Sequence, residues 1–198
     1  MKKSVHLSMF GVLVLLLAGC ASGQMSLPPG EMQPFAAAAD RTPVRTALTF
    51  QIHSAEDQRS MSSHQLGWSG STEDNRRAVV TEAPVAETLA DRLKSELNAR
   101  GFQSRVGGDV AMSLTINKFD LQTVANGPFQ TPSCNAEMTV DLSRAGVKRT
   151  AKVRLNSNFT APAPLFKTMQ ANAQTVASCM NLIVEGLVKN DEFKQMLQ

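Results

Sequence analysis

Hydrophobic and polar residues alternate with a period of two along four stretches of the chain, and with a helical period along two more. Val44, Thr46, Leu48, Phe50 and Ile52 fall on one side of the first stretch, with Arg45, Thr49, Gln51 and His53 on the other. Such alternation is the signature of a strand with one buried face. In the second stretch Val110, Met112, Leu114 and Ile116 alternate with Ala111, Ser113, Thr115 and Asn117, after which Phe119 and Leu121 change phase. One extra residue near Asn117 or Lys118, a β-bulge, produces that shift. Cys134, Ala136, Met138, Val140 and Leu142 mark a third strand, and Val147, Ala151, Val153, Leu155 and Phe159 a fourth. Arg144-Ala145-Gly146 between these two predicts a hairpin.

The first helical stretch starts at Pro84, with Glu82 and Glu87 near its positive end, and carries Val85, Leu89, Leu93 and Leu97 on one stripe. It stops at Arg100-Gly101. The second runs from about Leu165 to Val188, with Leu165, Met169, Ala173, Val176, Met180, Ile183 and Leu187 facing inward, and a short turn or helix from Asp191 to Leu197 follows. Half-polar strands with two amphipathic helices predict an α+β fold: a mainly antiparallel sheet of four to five strands, both helices on one face. The other face is left to water or to a partner.

The N-terminus follows a different logic. Lys2 and Lys3 precede an apolar run from Met9 to Ala18, and the run ends in Leu17-Ala18-Gly19-Cys20. A basic start and about ten apolar residues make a secretory signal, too short for a bilayer about 30 Å thick. The small pair Ala18 and Gly19 before a cysteine reads as a lipobox, with Cys20 as the site of a covalent lipid. Two or three acyl chains anchor a protein stably, at about 0.8 kcal/mol per buried methylene. The residue after Cys20 is Ala21 and not the aspartate that retains lipoproteins at the inner membrane, so the expected location is the periplasmic side of the outer membrane.

Residues 1–19 are thus expected as signal peptide, residues 20–43 as lipidated N-terminus and tether, and residues 44–198 as a single domain. The middle zone holds Pro28-Pro29-Gly30, Pro34 and Pro43, and could extend about 70 Å at the 3.1 Å per residue of a polyproline conformation. Ala36 to Ala39 is its only helix-like run. Removing the signal leaves 18 basic against 17 acidic residues, so the pI near 8.9 is no sign of nucleic-acid binding.

Chemistry is sparse in this sequence. Once Cys20 is lipidated, Cys134 and Cys179 are the remaining thiols, in an oxidising compartment. A disulfide between the third strand and the long helix is expected, with two separate buried thiols as the alternative. His64 lies among Ser60, Ser62 and Ser63, but without a nucleophile elbow or an evident orienting acid. His53 falls on a polar face, and no metal-ligand spacing or phosphate-binding glycine motif occurs. Lys148, Lys152 and Arg154 share their face with Glu137 and Asp141, which predicts a mixed solvated surface. With one Trp and no Tyr, an aromatic sugar platform is hard to build.

Asp57-Gln58-Arg59 after the first strand, the loop carrying Gln65-Leu66-Gly67-Trp68, and Leu89-x-x-x-Leu93-x-x-x-Leu97-x-x-Arg100-Gly101-Phe102 complete the informative residues. Together with the lipobox, the tether and a strand pair before a long C-terminal helix, Asp57-Gln58-Arg59 and the leucine helix resemble the YajG family of bacterial lipoproteins. The cysteine pair and the Trp68 loop stand outside that pattern. The resemblance implies a Gram-negative envelope lipoprotein with no established enzyme activity, and it supplies no catalytic residues. Three functions are consistent with the residues. The first is a non-catalytic binding or accessory module, contacting an envelope protein or peptidoglycan through the polar face or through Asp57, Gln58, Arg59 and Trp68. The others are a hydrolase using His64 with a nearby serine, and a lipid-handling accessory subunit. No cofactor is expected beyond the lipid on Cys20, and the oligomeric state is left open.

Overall fold

The computed structural model describes residues 24–27, 47–69, 76–126, 129–158 and 168–198. The lipobox, Cys20 and most of the expected tether lie outside these residues. The element order is β1 (Gln24–Leu27), β2 (Thr49–Asp57), β3 (Gln65–Ser69), β4 (Arg77–Thr81), α1 (Val85–Ala99), β5 (Gln103–Ser104), β6 (Val110–Asn126), β7 (Phe129–Arg144), β8 (Val147–Asn158), α2 (Thr168–Lys189) and α3 (Asp191–Leu197).

The sheet differs from expectation. It has eight strands and is mixed, with β6, 17 residues long, as its spine. On one side β6 pairs antiparallel with β7, and β7 with β8. On the other side two strands share its length: β2 runs parallel to residues 110–116 and β3 parallel to residues 121–123. β4 then adds antiparallel to β3, and β5 parallel to β2. The four-to-five-strand expectation missed β3, β4 and β5, which are two to five residues long, too short for periodicity to reveal. Trp68 accordingly sits in a strand and not in a loop. β1 was unforeseen as well: Gln24–Leu27, inside the stretch expected as tether, pairs parallel with β4 and forms the sheet edge.

The expected periodicities account for the core. Cys134, Ala136, Met138, Val140 and Leu142 of β7 are all buried, as are Val110, Met112, Leu114 and Ile116 of β6. The pairing register of β6 with β7 shifts between Ile116 and Lys118, and Phe119 and Leu121 beyond it are buried again. The bulge is therefore at Asn117, whose Nδ2 donates to Thr139 Oγ1 at 2.7 Å. Ala145 (φ 47°) and Gly146 (φ 83°) form the β7–β8 turn, two left-handed residues whose twist suits a tight hairpin. Val147, expected inward, is 52% exposed at the start of β8.

Val85, Leu89, Leu93 and Leu97 bury one stripe of α1 against β2 and β6. The helix ends in a Schellman arrangement: Phe102 N–H donates to Leu97 O (3.1 Å) and Gly101 N–H to Asn98 O (3.0 Å), with Gly101 at φ 98°. Ala173, Val176, Met180, Ile183 and Leu187 of α2 are buried over β7 and β8. α3, a third helix, adds Phe193, Met196 and Leu197 against β7 and β8.

Candidate functional site

With the helices on one face, the outer face of β6, β7 and β8 is left without a covering layer among the described residues. Its charges are used against one another. Glu137 Oε1 receives Lys152 Nζ at 2.9 Å and Oε2 receives Arg154 Nε at 2.7 Å. The hydrogen bond from Lys152 is the largest influence holding the Glu137 carboxyl below its ordinary range, against partial desolvation and with help from Arg154. Thr150 Oγ1 donates to Asp141 Oδ1 at 2.6 Å. Towards the hairpin, Ser113, Asp141, Ser143, Lys148 and Thr150 line a shallow concavity of about 440 Å³. Single alternating strands predict its polarity, but its shape depends on the β6–β7–β8 register.

The Asp57–Arg59 segment is built inward. The Arg59 side chain is 3% exposed and that of Asp57 11%, and the two form a fork: Nε to Oδ1 at 2.8 Å and Nη2 to Oδ2 at 2.6 Å. Nη1 then donates to Gln65 O (2.7 Å) and Phe119 O (3.1 Å). Phe119 stands on β6 between the stretch paired with β2 and the stretch paired with β3. Gln58 N–H donates to Ile116 O, the last step of the β2 ladder. The guanidinium therefore fills the break between two strands that share one edge, which is a task for a planar, five-donor group. Burial tends to raise the Asp57 pKa, and the hydrogen bonds and charge of Arg59 outweigh it, so the carboxyl titrates below its ordinary value. Gln58 is exposed, but Arg59 is committed to the scaffold.

His64 is bonded in the same manner. Its Nδ1–H donates to Thr81 O at 3.1 Å, while the Thr81 N–H donates to His64 O at 2.9 Å and the Thr81 hydroxyl to Ala83 O at 2.6 Å. Ser63 O accepts the N–H of Val85 at 2.9 Å and so serves the first turn of α1, where Pro84 provides no side-chain cap. The Ser63-His64 segment thus joins β3, β4 and α1. Among the described residues there is no cluster of three or more His, Cys, Asp or Glu able to hold a metal, and no helix long and apolar enough to cross a membrane.

Cys134 of β7 and Cys179 of α2 form a disulfide, with Cα atoms 6.2 Å apart. Both are fully buried, so the bond ties the long helix to the middle of the sheet. A polar link the sequence did not suggest joins the helices: Arg92 Nη1 of α1 donates to Asn181 Oδ1 of α2 at 2.6 Å. Trp68 stands apart, 41% exposed on β3.

Comparison with known proteins places these features in a lineage. A family model described as uncharacterized lipoprotein, Lipoprotein_16, matches residues 37–198. No curated protein matches the sequence. The solved structure of protein XCC0632 from Xanthomonas campestris is similar with a TM-score of 0.44 at 12% identity, covering 83% of this chain and 92% of that one. A minor lipoprotein from Acinetobacter baumannii gives a TM-score of 0.36 at 14% identity, covering 76% and 91% respectively. The chain belongs to the Lipoprotein_16 family, the YajG-like lipoproteins that its order of elements resembles.

Proposed function

We propose that the protein is an outer-membrane lipoprotein, lipidated on Cys20 after cleavage behind Gly19, that acts in the periplasm as a non-catalytic binding or accessory module of the cell envelope. The observation that carries this reading is the one-sided build of the domain. Three helices cover one face of the sheet, and the outer face of β6–β7–β8 presents a continuous polar surface ending in the 440 Å³ concavity. The partner is an envelope protein or peptidoglycan, met through that face.

The side chains best suited to chemistry support the same conclusion, because Arg59 and His64 are engaged in joining strands. Thr81 O orients the His64 ring through Nδ1 and the Ser63 carbonyl serves the first turn of α1, so this segment has a structural task in the scaffold. A lipid-handling role needs an apolar groove between helices and sheet. Val176, Met180, Ile183 and Leu187 instead meet Cys134, Met138 and Val140 with no exposed surface on any of them.

Photo-crosslinking in intact cells from Ser113, Thr139 and Lys152 tests the reading. One discrete protein or glycan adduct supports it; the absence of adducts from all three positions overturns the assignment of this face. Cys20→Ala is expected to abolish incorporation of labelled fatty acid, and unchanged labelling would remove the anchor.

A further inference from the structure

β1 begins at Gln24, so only three residues separate the sheet edge from Cys20. A chain of four residues spans at most about 14 Å when fully extended. Provided that Cys20 carries the lipid, as proposed above, β1 does not let the domain swing on a long tether but holds one sheet edge against the membrane.

The strand register says which part of that edge is nearest. Gln24 pairs with Ala78, Ala78 with Trp68, Trp68 with Gln122, and Gln122 with Ser133, one continuous row across β1, β4, β3, β6 and β7. Gln24 is the residue of β1 closest to the anchor along the chain, so this row is the anchor-proximal row. Trp68 lies two strand spacings from Gln24, about 10 Å. The Trp68 Cα thus lies within about 24 Å of the Cys20 Cα, the sum of these two spans. Trp68 is 41% exposed, while its row neighbours Ala78, Gln122 and Ser133 are uncharged. The exposed cation Arg77 immediately precedes Ala78 on the chain. An indole ring joins an apolar body to one N–H donor and is at home in the headgroup layer, and a neighbouring cation suits its phosphates.

We propose that Trp68 is a second membrane contact: the β1–β4–β3 edge lies on the phospholipid surface with the Trp68 indole in the headgroup zone. The occupant of this surface is the bilayer that holds the acyl chains.

The chain has one Trp and no Tyr, so intrinsic fluorescence reports this position alone. The experiment uses the mature, lipidated full chain in phosphatidylethanolamine/phosphatidylglycerol vesicles, with and without brominated acyl chains, and checks vesicle association by flotation. The expected result is a shift of emission to shorter wavelength, loss of intensity with brominated lipid, and weaker quenching by aqueous acrylamide than for the unlipidated protein. Ser26→Pro, which removes a donor from β1, is expected to keep flotation and lose the brominated-lipid quenching. Flotation with emission and acrylamide quenching unchanged overturns the Trp68 contact and leaves the anchor standing. Protection from acrylamide without quenching by brominated lipid also overturns it, because the indole would then be covered by protein. Quenching that persists in Ser26→Pro overturns the part given to β1. Failure to float overturns the anchor, and this inference with it.

Discussion

Gly67 of β3 packs directly on the backbone of Leu121 in β6: a Cβ at position 67 would lie 2.6 Å from the Leu121 nitrogen and 2.8 Å from its carbonyl carbon. The residue also has φ 149°, in a region that side chains avoid. Gly67→Ala must therefore strain its own backbone and push β3 from the spine, an expected loss of about 2 kcal/mol or more. Urea unfolding followed by Trp68 fluorescence measures it, and a midpoint equal to that of the wild type would contradict the close approach.

The buried fork of Asp57 and Arg59 makes stability depend on acid. The folded-state pKa of Asp57 is depressed, so its contribution is fully present above the unfolded value near 3.9 and is lost as pH falls through the lower folded value. The stability advantage of the wild type over Asp57→Asn is expected to be constant near neutrality and to shrink below about pH 4. Thermal unfolding of both proteins across that range is the check.

Arg59→Met separates the pair from the strand-bridging role. It leaves Asp57 buried without its cation and the Phe119 and Gln65 carbonyls without this donor, at an expected cost of about 3 kcal/mol. Arg59→Lys keeps the charge but not the planar fork, and is expected to recover only part of this. Full recovery by lysine in denaturant titrations would mean that charge alone matters here.

The disulfide encloses a loop with a sequence separation of 45. Chain entropy gives it about 4 kcal/mol of stabilisation at most. The Cys134→Ala/Cys179→Ala double variant is expected to unfold at a lower temperature than the oxidised wild type, and reductant is expected to lower the wild type but not the variant. Scanning calorimetry with and without reductant distinguishes these cases.

α3 depends on one cap. Asn190 Oδ1 accepts the N–H groups of Glu192 (3.0 Å) and Phe193 (3.3 Å). Asn190→Ala is expected to cost about 1 kcal/mol, seen as faster amide exchange from Asp191 to Leu197.

The long elements were legible because each is amphipathic over many residues. The alternation of β6 and β7, the phase change at Asn117, the hairpin at Ala145-Gly146 and the Val85–Leu97 stripe all predict their own structure. What stayed hidden depends on distant partners. β3, β4 and β5 are short, and their pairing is set by the edge of β6, not by their own pattern. Arg59 reads locally as a turn residue beside Asp57, and its bond to Phe119, 60 residues away, exists only once β2 and β3 lie end to end. Cys134 and Cys179 could be paired because one lies on an inward stripe, the other on the flank of one, and no other thiols remain once Cys20 is lipidated. Trp68 looked like loop sequence because Gly67 interrupts its strand, and the same glycine allows the close approach to Leu121.

The order of strands also imposes an order in time. β6, β7 and β8 meet through neighbouring segments and need little loop closure, whereas β1 must wait for β4, its partner among the described strands, far along the chain. In the proposed export of the chain, the segment that would leave first is then among the last to dock. Acylation at Cys20 would act on a nascent chain whose sheet is still unfinished, and folding would be completed by drawing the rest of the protein back to its own beginning at the membrane.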